Sequence, residues 1–266
     1  MRALALLYHD VVEPGDWDAS GFTDAGAASY KLERAEFERH LAAVSAVATR
    51  RGTVEGLQAV AGGGGPPPVL LTFDDGGASA YGCVADLLEG AGWRGHFFIT
   101  TDYIEAPGFV TRAQLRDLAA RGHVIGTHSS SHPVPMARFS RQRLLAEWAS
   151  SAQALGDLLG EPVRVGSVPG GGLSRRVAEA AAAAGMTALF TSEPTTHCRV
   201  VDGCVVVGRY VLRRGMPAAA AAALASGAIG ARLRQACVWN LKKVAKVLGG
   251  NAYLALRDAV YERGRA

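Results

Sequence analysis

The stretch LLTFDDGGAS, residues 70–79, places two adjacent carboxylates, Asp74 and Asp75, between an apolar run and two glycines. Successive side chains of a strand point to opposite faces, so both aspartates reach one site only if the strand ends beneath them. Gly76 and Gly77 permit such an end because glycine adopts backbone dihedrals that are closed to other residues. Two carboxylates this close repel each other unless a cation or strong donors neutralise them. The stretch predicts either an Asp-Gly turn or the edge of a cation site.

Short β-like runs and helix-like segments alternate along most of the chain. Seven runs bounded by turn-forming residues are predicted strands: 3–8, 69–73, 95–100, 123–127, 163–168, 187–191 and 205–212. Five segments with apolar residues three and four apart are predicted helices: 34–50, 78–91, 111–121, 139–160 and 174–185. Thr111 and Ser174 are expected N-caps, and Gly122 and Gly185 expected helix ends. This order predicts an α/β fold with a parallel sheet or barrel.

The chemically unusual residues follow the predicted strands, at their carboxyl ends. They are Tyr8 and His9, Asp74 and Asp75, His128 and His132, Pro169 to Gly172, Glu193, and Arg213. The carboxyl ends of the strands of a βα barrel gather on one rim, where functional sites are built. We therefore expect these residues to surround one site.

The segment GTHSSSHP, residues 126–133, spaces His128 and His132 by four, so a single helical turn projects both imidazoles to the same side. Pro133 limits that helix to one turn on a loop. Two histidines and one aspartate form a ligand set with open positions, which is typical of catalytic zinc. Iron or another divalent ion fits the same set. The alternative is a polar surface loop with two unrelated histidines.

These motifs resemble those of the polysaccharide deacetylases, the NodB-homology or carbohydrate esterase family four enzymes. LLTFDDGG is similar to the first motif of that family and THSSSH to the second, 53 residues later. The flanking segments follow the usual order, and the likeness covers roughly residues 3–216. It implies a distorted (β/α)7, NodB-like barrel over residues 1–216, followed by a helical tail over residues 217–266.

The resemblance also implies a role for each site residue. Asp75 would join His128 and His132 on a divalent metal, Zn²⁺ in the first instance, and Asp74 would be the catalytic base. Gly170 stands where the family has an aromatic residue whose backbone N–H holds the oxyanion. Substrate-binding positions are expected at four neighbouring rim residues: Pro169, Gly171, Glu193 and Arg213.

One position departs from the family's third motif. That motif usually begins with an arginine that orients the base, and the aligned residue here is Ser167. Arg164 is predicted to lie within a strand, whereas Arg209 and Arg213 are placed to reach the site from the seventh strand. The sequence singles out none of the three.

The family's fifth motif usually ends in a histidine that protonates the leaving amine, and the strand GRYVLRRGM has none. We expect His197, on the loop after the sixth strand, to be the acid. A solvated loop histidine is the alternative. His9 is the second candidate, although a histidine at that position is more typical of a structural residue at the rim.

Composition sets the class of protein and the expected partners. With 266 residues, 49% of them hydrophobic and 20% charged, the chain can bury a full core. The four cysteines form no CxxC pair, and polar residues interrupt the N-terminal apolar run, so we expect reduced thiols and a cytoplasmic protein. The alanine-rich stretch of residues 216–231 is too short and too weakly apolar for a membrane span.

The tail is basic and amphipathic. Residues 217–266 contain eight basic and two acidic residues, whereas the whole chain has a net charge of only +4. One helical face would carry Leu233, Val238, Leu241, Val244 and Leu248. Either the tail packs on the barrel as helices with a solvated charged face, or it lies on an anionic membrane at the inner face. Nucleic acid is not an expected partner because the barrel is not basic.

The expected function is therefore a metal-dependent hydrolase that removes N-acetyl groups from an amino sugar in a polysaccharide, oligosaccharide or lipid-linked precursor. An O-acetyl or formyl group is the alternative target. A non-catalytic sugar-binding protein is the alternative class, since two family residues are replaced.

Overall fold

The computed structural model describes residues 1–59, 65–241 and 243. Nine of the strands in these residues form one sheet in the order β11-β1-β4-β5-β6-β7-β8-β10-β9, and only the β9–β10 pairing is antiparallel. The strands are β1 (Leu4–Tyr8), β2 (Val11–Val12), β3 (Leu32–Glu33), β4 (Val69–Phe73), β5 (Gly95–Ile99), β6 (Val124–Thr127), β7 (Val165–Ser167), β8 (Ala188–Phe190), β9 (Arg199–Val201), β10 (Cys204–Val207) and β11 (Arg209–Val211).

Helices follow most strands of the parallel sheet, as expected for βα units. They are α1 (Ala25–Ala28), α2 (Arg34–Val47), α3 (Val54–Ala59), α4 (Ala85–Gly90), α5 (Arg112–Ala120), α6 (Arg141–Leu159), α7 (Arg175–Ala183) and α8 (Ala218–Ala225). A π-helical segment, Ala80–Val84, leads into α4. The predicted caps are confirmed, because Thr111 forms a capping box with Gln114 and the Ser174 side chain accepts from the Val177 N–H. Gly122 and Gly185 have φ of 84° and 89°, which ends α5 and α7.

The seventh predicted strand is divided at Gly208, and the division joins the two ends of the sheet. β10 pairs with β8, whereas β11, one residue further along the chain, pairs with β1. The strand thus changes partner within one residue, and this closes the distorted barrel that the sequence predicted. A Cβ at position 208 would lie 2.4 Å from the Glu193 carbonyl oxygen and 2.8 Å from that of Thr195, so the crossing requires glycine.

The strands bury both faces. Alternate residues of β1 and β4, such as Leu6 and Leu71, pack against the helices, while Ala5 and Leu70 belong to a second cluster that includes Phe98 and Phe190. Two buried faces explain why the strand sequences read as continuous apolar runs rather than as alternating patterns. The fold thereby holds the carboxyl ends of the strands in fixed positions around the site.

Part of the predicted tail packs on the barrel. α8 buries Ala221, Leu224 and Ala225 in the cluster that contains residues of α2. A further helix, here called the C-terminal helix, begins at residue 229 and is described to residue 241, with residue 243 also helical. The side chains of Leu233, Val238 and Leu241 are exposed. The rest of the predicted apolar face, Val244 and Leu248, lies outside the described residues.

In the described part of the chain, no helix combines the length and the apolar character that crossing a bilayer requires.

We predict that Gly208→Ala destabilises the fold by about 2 to 4 kcal/mol, because the new methyl group meets two backbone oxygens that cannot move independently. The free energy of unfolding from urea titration measures the effect. Gly56→Ala in α3 is the matched control, since a Cβ at position 56 would meet no neighbouring group of the described residues within 4 Å and alanine favours a helix. Equal stability of the two variants would contradict this account of the strand crossing.

Candidate active site and metal centre

A cavity of about 420 Å³ opens at the carboxyl ends of the strands. Most of the residues that the sequence placed at the rim line it: His9, Asp74, Asp75, His128, His132, Gly170, Gly171, Gly172 and Arg213. Pro169 is buried in the same short turn as Gly170 and Gly171. Most of the rim residues that the sequence indicated therefore lie around one cavity.

The two aspartates share the cavity because β4 ends at Phe73, directly before them. The Asp74 N–H still donates to the Tyr8 carbonyl of the neighbouring strand, at 3.2 Å, and the chain turns at the next residue. Asp75 itself has a left-handed φ of 77°, and Gly76 follows with 84°. A left-handed non-glycine residue is uncommon, and here it turns the second carboxylate toward the cavity.

Asp75, His128 and His132 offer three ligand atoms that all lie within 4.8 Å of one another. Asp75 Oδ1 is 3.4 Å from His128 Nε2 and 3.5 Å from His132 Nε2. His128 Nδ1 donates to the Ser167 carbonyl at 2.8 Å, so Nε2 is the ring nitrogen that faces the site. A backbone carbonyl in this position is a usual partner of a metal-ligating histidine. The three residues therefore fit a divalent metal ion.

The loop between the two histidines is not the helical turn that their spacing predicted. Ser129 and His132 have φ of 65° and 56°, so the imidazoles converge through two left-handed residues. Glu147 of α6 fixes the loop by accepting from the N–H groups of Ser130 and Ser131 at 3.1 and 3.0 Å, and from the Ser131 hydroxyl at 2.7 Å. A buried carboxylate thus replaces helical hydrogen bonds as the support of this loop.

Charges around the cavity favour the ionised carboxylates. Burial alone would raise the pKa of Asp75, but its hydrogen bond to His128 and the nearby imidazoles hold that pKa below its usual range. Burial and the neighbouring His128 lower the pKa of His132 to about 4, so its imidazole is neutral near pH 7. A neutral imidazole beside an ionised carboxylate is the state that binds metal.

Arg209 supplies the guanidinium that the third motif lacks. Its Nη1 and Nη2 donate to the two oxygens of Asp74 at 2.6 and 2.8 Å, and Nη2 also donates to the Ser167 hydroxyl at 2.8 Å. Ser167 in turn donates to Asp74 Oδ2 at 3.0 Å. Burial alone would raise the pKa of Asp74, but the charges of Arg209 and His128 and the hydrogen bonds from Arg209 together keep that pKa below its usual range. The arginine comes from β11 instead of β7.

Two sequence-predicted residues lie away from the cavity. His197 is exposed, and its backbone forms a bridge with Arg2, at the amino end of β1. The structure therefore does not bring His197 to Asp74. Glu193 pairs with Arg199 at 2.6 Å and does not line the cavity. The loop after β8 returns to the opposite end of the sheet, where the Thr196 carbonyl accepts from the Ala3 N–H.

His9, the alternative acid, does line the cavity. Its ring lies 4.7 Å from that of Tyr30, between centroids, and its Nδ1 is buried without a hydrogen-bond partner among the described residues. A buried ring nitrogen without a partner is unusual in a folded protein and points to a group that meets a ligand.

We predict that the metal-free chain of 266 residues binds one Zn²⁺ ion, as measured by isothermal titration calorimetry. Asp75→Ala should weaken binding by about 100-fold or more, and Glu147→Gln, which acts only through the loop, by about tenfold. His197→Ala is the matched control and should bind as the unchanged chain does. Zinc binding that survives Asp75→Ala would contradict the ligand assignment.

Comparison with known proteins gives a family model and several solved structures. Residues 61–189 match the model described as "Polysaccharide deacetylase". IcaB from Ammonifex degensii is 22% identical with a TM-score of 0.69, and the match covers 85% of this chain and 97% of that one. The Streptococcus pyogenes deacetylase PplD is 16% identical with a TM-score of 0.69, over 82% and 96% of the two chains.

BC0361, a polysaccharide deacetylase from Bacillus cereus, is 15% identical with a TM-score of 0.70, over 85% of this chain and 69% of that one. No curated protein gives a significant sequence match. At these identities the structural matches establish the fold, while the family model covers the strand ends that hold the aspartates and histidines. Residues 61–189, which contain these aspartates and histidines, are similar to the polysaccharide deacetylase family.

Proposed function

We propose that the protein is a metal-dependent hydrolase that removes N-acetyl groups from an amino sugar in a polysaccharide, oligosaccharide or lipid-linked glycan precursor. The observation that carries the proposal is a buried aspartate, Asp74, held by an arginine beside three residues that fit a divalent ion. Asp75, His128 and His132 would hold the ion, with Zn²⁺ the first candidate. Such an ion would supply Lewis-acid chemistry, lowering the pKa of water and polarising the acyl carbonyl.

Asp74 is the general base in this proposal. Arg209 donates to both of its oxygens, which fixes the orientation of the carboxylate and keeps it ionised near neutral pH. A carboxylate has about four lone-pair positions, so these hydrogen bonds leave room to accept a proton from the attacking water. Asp74 Oδ2 lies 3.8 Å from His128 Nε2, a distance that supports a base next to the proposed metal ligands.

Gly170 and His9 complete the proposed machinery. Gly170 has φ of 64°, and a Cβ there would lie 2.9 Å from Val134 Cγ1, so the turn brings bare backbone to the cavity. Its N–H is the proposed donor to the developing oxyanion. His9 replaces His197 as the proposed acid, because it lines the cavity and can give a proton to the leaving amine.

The alternative of a non-catalytic sugar-binding protein was based on two replaced family residues. Arg209 holds Asp74 as the missing arginine was expected to do, and His9 offers an imidazole from the end of the first strand instead of the seventh. Both observations favour catalysis over binding alone. Which acyl group is removed is decided by the substrate arms of the experiment below.

We also propose that the tail contacts an anionic membrane from the cytoplasmic side. The C-terminal helix exposes Leu233 and Leu241, at 58% and 70%, and carries basic side chains such as Arg234. Exposed apolar residues beside cations favour binding in the interface of an anionic leaflet. This location would suit a lipid-linked saccharide.

The zinc-loaded protein is expected to release acetate from N-acetylated chito-oligosaccharides or lipid-linked N-acetyl sugars, with no release after chelation. Arg209→Met should lower kcat by about 100-fold, because the base loses its orienting partner. His9→Ala should also lower kcat, whereas His197→Ala is the control and should keep full turnover. O-acetylated and N-formylated sugars are the comparison substrates. Bound zinc without release from any acylated sugar would overturn the proposal in favour of a binding protein.

Flotation with vesicles tests the membrane contact. The chain of 266 residues is expected to float with phosphatidylserine-containing vesicles. With neutral vesicles it should remain in the bottom fraction of the gradient. Replacing Leu233 and Leu241 by Gln should reduce flotation. Val200→Gln removes an equally exposed apolar side chain from β9, at 67% exposure, and should leave flotation unchanged. No binding to anionic vesicles would rule out the contact.

A further inference from the structure

One wall of the cavity comes from the C-terminal helix, outside the residues that match the family model. Trp239 and Lys243 line the same cavity as His9, Asp74 and Asp75. Trp239 is half-buried, and the Lys243 ammonium lies 5.2 Å from the centre of its ring. The chain thus places an aromatic side chain and a cation in the same cavity as the proposed catalytic residues.

The helix is attached to the barrel by specific contacts. The Gln235 amide bonds both backbone groups of Val211 in β11, accepting from its N–H at 3.1 Å and donating to its carbonyl at 2.8 Å. Arg232 donates to Thr196 at 3.4 Å, and Ala231 packs against the core. Because Val211 also lines the cavity, these contacts fix Trp239 relative to the site.

Two cations of the cavity lack an acidic partner among the described residues. Arg213 stacks on Tyr30, 4.3 Å from its centroid, and donates to its hydroxyl at 2.6 Å. In the same part of the chain, neither Arg213 nor Lys243 forms an ion pair with a carboxylate. Cations that face a concave site without a counter-ion attract anionic ligands.

The carboxylates of the cavity are already engaged. Asp74 is paired with Arg209, and Asp75 lies between the two metal-ligating histidines. Asp24 accepts from the Ala27 N–H at 3.0 Å and caps α1. With a divalent ion bound, the net charge facing a substrate would be positive. Arg213 and Lys243 would contribute to it because neither is paired with a carboxylate of the described residues.

We infer that the substrate is an anionic saccharide, with a sugar ring against Trp239 and a phosphate or carboxylate substituent bound by Lys243 and Arg213. The inference rests on the proposed deacetylation, since it names the substrate class of the same cavity. An ammonium and a guanidinium both form charge-assisted hydrogen bonds with either anion. The C-terminal helix would then determine specificity, while the barrel carries the chemistry.

Binding of sugars that have no acyl group tests the inference without turnover. The zinc-loaded chain of 266 residues is titrated calorimetrically with glucose 1-phosphate, methyl glucuronide and neutral methyl glucoside. Lys243→Gln is expected to raise the Kd of the anionic sugars about tenfold and to leave that of the neutral sugar unchanged. Lys243→Arg should restore most of the affinity. The first two probes distinguish a phosphate from a carboxylate substituent.

Matched variants on the same helix provide the controls. Arg234→Gln removes an exposed cation that does not line the cavity and should change no Kd. Trp239→Leu should weaken the binding of all three sugars alike, whereas Leu241→Ala should leave their binding unchanged. Equal effects of Lys243→Gln and Arg234→Gln, or equal affinity for charged and neutral sugars, would overturn the inference.

The outcomes separate this inference from the proposed function. Binding of anionic sugars that depends on Lys243, without acetate release from any acylated sugar, supports the anion site and contradicts deacetylation. Acetate release without a preference for anionic sugars supports deacetylation and contradicts the anion site. A sugar phosphate that is bound only by the zinc ion would keep its Kd in Lys243→Gln, and this result would count against the inference.

Discussion

The buried pair of Asp74 and Arg209 is the interaction on which the rest of the site depends. Arg209 is completely buried and uses all five of its N–H donors: two on Asp74, one on Ser167, one on the Thr72 hydroxyl and one on the Thr191 carbonyl. Removing one partner of such a pair costs about 3 to 5 kcal/mol because the other charge is left buried alone. The pair therefore links β4, β7 and the end of β8 through the barrel interior.

The strand crossing at Gly208 and this ion pair depend on each other. Because β10 leaves β8 at Gly208 and β11 continues beside β1, Arg209 enters the barrel interior directly after the crossing. Its guanidinium lies 5.7 Å from the ring centre of Phe98, so the same side chain fills the core and fixes the orientation of the Asp74 carboxylate. Replacing the family arginine by Ser167 leaves a hydroxyl that accepts from Arg209 and donates to Asp74. A guanidinium therefore reaches Asp74 from β11, although β7 has a serine at the aligned position.

Local patterns predicted much of the fold and part of the site. The strands, the Thr111 and Ser174 caps, and the Asp74–Asp75 strand end are encoded by neighbouring residues, and the sequence indicated them. The support of the histidine loop was missed because Glu147 lies 16 residues from Ser131 and acts through tertiary contact. The position of His197 was also not predictable, because the loop after β8 turns toward the amino end of β1 through a backbone bond to Ala3. Hydrogen bonds between distant segments determine the conformation of the histidine loop and the position of His197, and sequence periodicity does not report such bonds.

Burial beside positive or polarisable groups also explains how two adjacent carboxylates can remain ionised in different surroundings. Asp74 is compensated from inside the barrel by a guanidinium, whereas Asp75 faces two imidazoles on the open side. Since Arg209 neutralises one carboxylate, a metal ion bound here would have to balance only the other. The left-handed backbone at Asp75 separates the two environments, because it turns the second carboxylate away from the arginine and toward the histidines. A regular strand would also give the two side chains different surroundings, but only one of them would then face the cavity.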